Sequence, residues 1–195
     1  MTYASEISND EINELPLLKF EGKSKVITSK NDLKKVFNEL RDAPYVGFDT
    51  ETKPNFVKGN INNVGLIQFS LERKAFLIRI NMTGLTDEIL DFFESDTKKI
   101  GIALHDDIKG LQRLGNFEPE GFINANKITH EMGIVNQGIR KLAGILLGGR
   151  VSKSQQLSNW EAPEFTPAQI NYAATDAWVC WKMYNELIEQ GHVKL

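Results

Sequence analysis

Residues 45–54, Tyr-Val-Gly-Phe-Asp-Thr-Glu-Thr-Lys-Pro (YVGFDTETKP), decide how this chain is read. An apolar run from Tyr45 to Phe48 stops abruptly at Asp49-Thr50-Glu51. Pro44 in front and Pro54 behind bound a β-forming run, which predicts a strand. In a strand, residues i and i+2 share a face, so Asp49 and Glu51 stand side by side. Adjacent carboxylates repel each other and are costly to desolvate, so such a pair calls for a positive partner. The spacing alone carries little weight. With 26 acids among 195 residues, chance supplies roughly three such pairs, and a solvated strand end explains one equally well.

Outward from this stretch, strands and helices alternate. KVIT (25–28) reads as a short strand and SKNDLKKVFNEL (29–40) as a helix. Ser29 is placed to cap that helix and Asp32 to close a capping box, with Leu33, Val36, Phe37 and Leu40 on one face. NNVGLIQFSL and KAFLIRI follow as strands, and the short turn ERK between them predicts an antiparallel hairpin. TDEILDFFES reads as a helix, KKIGIAL as a buried strand, and DDIKGLQRLG as a helix closed by Gly115. FINANKI reads as a further short strand, and GIRKLAGILLG as an apolar helix stopped at Gly148-Gly149. The last helix starts at a Thr166 N-cap, with Pro167 at N1 and Gln169 at N3, and ends at Gly191. A hairpin-bearing sheet continued by strand–helix units predicts an α/β fold with a mixed central sheet flanked by helices. Residues 1–22 are expected to be a loosely ordered acidic lead-in and 23–195 the folded domain.

Composition narrows the function classes. Apolar content is 41%, charged content 25% and net charge −3. That balance argues against a nonspecific nucleic-acid coat, which needs a broad basic surface. It leaves room for an enzyme that holds a strand locally. No run of 18 apolar residues occurs, and the polar start lacks the pattern of a signal peptide. The single cysteine, Cys180, sits among apolar residues in a helix and fits a reducing, cytoplasmic compartment.

Two further acidic positions stand at the ends of elements. Asp106-Asp107 follows the strand IGIAL directly and opens a helix, where the helix dipole alone accounts for one acid. Tyr172 and Asp176, at i and i+4, share a helix face, and Ala173, Ala177 and Cys180 turn that side toward the body of the protein. An inward Asp needs a partner. Oxygen-only ligands with no useful His or Cys spacing suit hard cations, Mg²⁺ or Mn²⁺.

FDTE (48–51), GIALHDDIKGL (101–111) and YAATDAW (172–178) together resemble the three motifs of the DEDDy 3′–5′ exonucleases. This is the ribonuclease-D-like branch of the ribonuclease-H-like superfamily, and the pattern is similar to the exonuclease domain of the Werner syndrome helicase and its stand-alone relatives. NNVGLIQFS (62–70) and LAGILLGGRVSKSQQLSNWE (142–161) support the likeness, which covers about residues 24–191. No helicase motif is seen, so a stand-alone exonuclease domain is expected. The resemblance implies a ribonuclease-H-like fold and metal binding by Asp49, Glu51, Asp107 and Asp176. It implies that Tyr172 orients the attacking water. The register Gly101, five residues, Asp107, three residues, Leu111 selects Asp107 over Asp106. Thr50 and Thr52 flank Glu51 as in polymerase proofreading sites, which implies that they bind substrate where the backbone of this stretch, with the Glu, holds the terminal 3′-hydroxyl. Two ions are implied, with hydrolysis of the last phosphodiester of a single-stranded DNA or RNA 3′ end to nucleoside 5′-monophosphates. Relatives often have Asp-Leu where this chain has Asn124-Ala125.

KPNFVKGNINN (53–63) is a polar stretch with both Pro and Gly beside the proposed site. It predicts a strand-guiding loop in which Lys53 and Lys58 contact phosphate. His105 reads as a surface residue at a strand end, and His130 and His192 have no spaced partners for zinc. Trp160 reads as a packing anchor. Two rival functions remain. One is a non-catalytic nucleic-acid-binding domain on the same fold. The other is a glycosidase with paired carboxylates, which needs no metal.

Overall fold

A computed structural model of the chain describes residues 3–56, 59 and 61–194. Helix α1 spans Asn9–Glu14 and strand β1 Lys23–Ile27; helix α2 spans Leu33–Arg41 and strand β2 Tyr45–Thr52. The hairpin is β3 (Val64–Ser70) and β4 (Lys74–Arg79), followed by the single turn α3 (Ile80–Thr83) and helix α4 (Asp87–Phe93). Then come β5 (Lys98–Gly101), α5 (His105–Gln112), β6 (Phe122–Asn124), α6 (Ala125–Glu131), α7 (Ile139–Leu147) and the long α8 (Pro167–Glu189).

The strands form one mixed sheet in the order β1-β4-β3-β2-β5-β6. β2, β3 and β4 form an antiparallel meander. β1 joins β4 in parallel, and β5 and β6 continue from β2 in parallel. Alternation decides what each face buries. Val46, Phe48, Ile67, Phe69 and Ile78 form a core with Phe37 of α2 and Phe92 and Phe93 of α4. The opposite face, through Leu66, Ala75 and Leu77, packs on Ala173 and Ala174 of α8 and on Trp160. The predicted capping box of α8 is present: Thr166 Oγ1 accepts from the Gln169 N–H at 3.2 Å, and Gln169 Oε1 accepts from the Thr166 N–H at 3.0 Å.

Three local expectations change. The lead-in is ordered over residues 3–22. Ser8 and Glu11 form a capping box on α1, and Ile12 is fully buried with its helix against α7. Phe20 is buried beside Trp178 of α8. The acids of this stretch suggested a loose segment, but its apolar residues are anchored by long-range contacts that local composition does not register. Ser29 caps a 3₁₀ turn over Lys30–Asp32 rather than α2 itself, and the Asp32 carboxylate turns to the Lys25 ammonium at 3.2 Å instead of closing a box. FINANKI stays extended only to Asn124, whose side chain accepts from the Asn126 N–H at 3.2 Å and starts α6.

Candidate active site

β2 sends its odd-numbered side chains toward α8. Gly47 marks the closest approach: a Cβ there would lie 1.9 Å from the Ala177 carbonyl oxygen and 2.9 Å from the Trp181 amide nitrogen. Only glycine lets backbone come this near backbone. Two and four residues on, Asp49 and Glu51 leave the same face. There α8 supplies Tyr172 and Asp176, one turn apart. The pairing with β3 shifts register between Glu51 and Thr52, a bulge that ends the regular ladder at the site.

Asp107 arrives from α5, at the C-terminal end of β5. The turn between them holds Ala103 at φ 56°, a left-handed conformation uncommon for a residue with a side chain. The Ala103 N–H donates to Asn126 Oδ1 at 2.7 Å and to Asn124 Oδ1 at 3.3 Å. Asn126, with a longer contact from Asn124, thus fixes the turn that delivers α5. The Thr50 hydroxyl donates to Asp107 Oδ1, while its N–H donates to Asp49 Oδ1 at 2.9 Å. Asp106 points to solvent.

The acids feel one another. Burial, then the charges of Asp176 and Asp107, holds the Asp49 carboxyl well above the usual carboxylate range. Glu51 is pushed up to about 10 by burial and then by Asp49, Asp176 and Asp107. Burial raises Asp107, against the lowering effect of the Thr50 hydroxyl. Asp176, only 6% exposed, is raised by burial to about 7 and partly relieved by a hydrogen bond from Tyr172. The Tyr172 hydroxyl is itself pushed up by burial and then by Asp176, Glu51 and Asp49, so it stays protonated. Among the described residues no ion pair reaches any of these four acids.

The donor chemistry fits hard divalent cations. A second observation agrees: Gln68, cross-strand partner of Asp49, is fully buried with both amide atoms unpartnered among the described residues. Such orphaned atoms are rare unless an ion or water completes the site. The ligand geometry is not preassembled, since among the described residues no group of three or more Asp, Glu, His or Cys is poised as a ligand set.

A cleft of about 590 Å³ lies on the Thr50–Lys53 side of the acids and takes in Asp107, Lys109 and Arg113. Thr52 is exposed on its wall. Lys53 also lines it, with its ammonium 3.5 Å from Glu161. Lys58 lies outside the described residues. Sequence reading passed over Lys109 and Arg113, although their i, i+4 spacing on the helix of Asp107 was visible. Trp160 is fully buried between Phe165 and Tyr172, so it packs and is closed to bases. His105, His130 and His192 are exposed.

Comparison with known proteins gives the family and the fold. The family model described as 3′-5′ exonuclease matches residues 24–191. An Aedes aegypti exonuclease mut-7 homolog is 28% identical over 200 residues, covering 87% of this chain and 27% of that protein. The bifunctional 3′-5′ exonuclease/ATP-dependent helicase WRN of Mus musculus is 26% identical over 190 residues, covering 92% of this chain and 14% of that protein. The chain therefore spans about a quarter or less of the length of these relatives. In fold, the crystal structure of the Aedes aegypti Nibbler EXO domain aligns with a TM-score of 0.78 at 23% identity, over 87% of this chain and 89% of that one. Trypanosoma brucei RNase D in complex with RNA U12 aligns with a TM-score of 0.75 at 15% identity, over 95% of this chain and 66% of that one.

Proposed function

This chain belongs to the 3′–5′ exonuclease family, and we propose that it hydrolyses the terminal phosphodiester at the 3′ end of a nucleic-acid strand, releasing nucleoside 5′-monophosphates. The observation that carries this reading is the meeting of Asp49, Glu51, Asp107 and Asp176, uncompensated by any described cation, beside a protonated Tyr172. Mutual repulsion of this kind is relieved by a bound cation. The four carboxylates would hold divalent ions, Mg²⁺ or Mn²⁺, which when bound supply Lewis acidity and a nucleophile at neutral pH.

The rest falls to the chain's own groups. Tyr172 keeps its proton at pH 7 and is held by Asp176 one turn away, so its hydroxyl can orient a water toward phosphorus. The water oxygen forms the new bond to phosphorus, the bond from phosphorus to the 3′-oxygen breaks, and the shortened strand leaves with a 3′-hydroxyl. Thr50 is committed to Asp107 and to Asp49, so its side chain shapes the carboxylates. Contact with the terminal 3′-hydroxyl falls to Thr52 and to the backbone after the bulge. Lys53, Lys109 and Arg113 would hold phosphates of the strand along the cleft.

Product and polarity test this reading. Single-stranded DNA and RNA carrying a 5′ label are incubated with the protein and Mg²⁺ or Mn²⁺, and the released species are separated by chromatography. A ladder shortening from the 3′ end, with 5′-monophosphates as the small product, is expected. Retention of intact DNA and RNA in a complex, with neither polymer shortened, would instead indicate a non-catalytic binding domain. Cleavage unaffected by EDTA would sink the metal-dependent reading.

A further inference from the structure

A second cavity, of about 380 Å³, opens on the other side of Tyr172 and Asp176. One wall is the first part of α8, from Pro167 to Asp176. The other is Leu17, Leu18 and Lys19, with Ser152 and Ser154 at the end. These three residues belong to an amino-terminal strap that lies outside the segment matched by the exonuclease family model. The strap is fastened at both sides of the cavity. The Phe20 N–H donates to Thr175 Oγ1 at 3.1 Å, and Asn171 Nδ2 donates to the Phe20 carbonyl at 3.1 Å. Thr175 and Asn171 are the residues immediately before Asp176 and Tyr172. On the far side the Leu18 N–H donates to the Arg150 carbonyl at 2.8 Å, the Arg150 N–H to the Pro16 carbonyl at 2.9 Å, and Arg150 Nε to the Leu15 carbonyl at 3.0 Å.

We propose that this strap builds a nucleotide subsite of the active site: Leu17 and Leu18 face a base or sugar, Lys19 meets the adjoining phosphate, and Tyr172 and Asp176 form the opposite wall. The proposal rests on the exonuclease reading above. Three features carry it. The volume falls in the range of small-ligand sites, about 300–1,000 Å³. Leu17 is half exposed, an apolar side chain left open at the mouth of a polar site. Lys19 is exposed at the rim with no ion-pair partner among the described residues, so its charge is available. The ligand class is a nucleotide within a strand, since the cavity shares Tyr172 and Asp176 with the proposed catalytic centre and sets an apolar contact beside one cation. The strap would thus act on affinity and strand placement, leaving the chemical step to the carboxylates.

Equilibrium binding decides it. The full chain carrying Asp49→Asn, chosen to silence cleavage, is titrated with fluorescent single-stranded oligonucleotide at several KCl concentrations, and anisotropy is read. Lys19→Ala in this background should raise Kd about two- to fivefold and flatten the slope of log K against log[KCl] by about one. Lys19→Arg should restore both. Leu17→Ala should raise Kd with the slope unchanged, and its exposed position keeps the fold intact. If the parent binds while Lys19→Ala and Leu17→Ala both match it in Kd and slope, the subsite is wrong, although wild-type ladder formation would leave the exonuclease reading standing. If the parent binds no oligonucleotide and the wild type forms no ladder, both fall together.

Discussion

Two residues show how far single side chains govern the site and its scaffold. Tyr172 is held protonated by burial and by the surrounding carboxylates, and it hydrogen-bonds Asp176. Tyr172→Phe should therefore lower kcat by about a hundredfold, the scale of a lost positioning group, with little change in KM in steady-state assays on a labelled oligonucleotide. Equal loss in the rate of substrate binding would point to a structural role instead. Lys99, far from the carboxylates, is fully buried yet satisfied: its ammonium donates to the Ser95 carbonyl at 2.8 Å and the Glu120 carbonyl at 2.9 Å. Burial pulls it down to about 8 against the raising effect of Asp96 and Glu120. In the unfolded chain it titrates near the ordinary lysine value of about 10.4, so between these values the unfolded state binds more protons. Its contribution to stability should therefore rise with pH from about 8 toward 10, and urea unfolding at pH 7.5 and 9.5 should show that rise shrink in Lys99→Met. An identical pH dependence in both proteins would contradict it. The two differ in how they could be read from sequence. Tyr172 stood out through a motif, whereas nothing in KKIGIAL distinguishes a buried Lys99 from the exposed lysine expected beside it.

At the scale of elements, the site depends on how closely α8 approaches β2. Gly47 permits that contact, so Gly47→Ala should cost about 1–3 kcal/mol in denaturant unfolding and should shift Asp49 and Glu51 relative to α8. Activity should fall further than the loss of folded protein accounts for; full activity per folded molecule would show that the approach matters only for packing. Much of this architecture was readable. Alternation in β2, the short hairpin turn and the Thr166–Gln169 box are local signals, and the strands and α8 formed where those signals stood. What escaped was set by contacts between distant segments. The acid-rich amino terminus became ordered because Ile12 and Phe20 bury against helices more than a hundred residues away. The strand through FINANKI stopped at Asn124 because that side chain was needed as a cap and as an acceptor for Ala103. The gathering of Asp49 with Asp176 and Asp107 was likewise invisible in any one stretch and emerged only from three motifs taken together.

For the whole molecule, a net charge of −3 forces substrate affinity to come from a few local cations. Lys109 and Arg113 line the larger cleft, as does Lys53 beside Glu161, and on the proposed reading they would supply that attraction. Replacing Lys109 and Arg113 together by Ala should flatten the salt dependence of oligonucleotide binding by about two in log–log slope, with kcat on saturating substrate little altered. An unchanged slope would move the strand's path elsewhere. The mixed sheet explains why cations and acids meet at all, since β5 stops at Gly101 while its neighbour β2 runs on through Asp49 and Glu51 to Thr52, and α5 and α8 both deliver side chains to that edge. The central claim is that four carboxylates without a protein counter-charge form a cation-dependent centre for 3′-end hydrolysis. Its most direct test is a single-turnover time course with excess protein on a 5′-labelled single strand, with Mn²⁺ titrated from zero, for the wild type and Asp49→Ala. The account predicts a 3′-shortening ladder whose rate rises with Mn²⁺ and saturates, is removed by EDTA, and is absent in Asp49→Ala at every Mn²⁺ concentration. A ladder formed by Asp49→Ala at the wild-type rate, or none from the wild type on DNA or RNA with either Mn²⁺ or Mg²⁺, would contradict it.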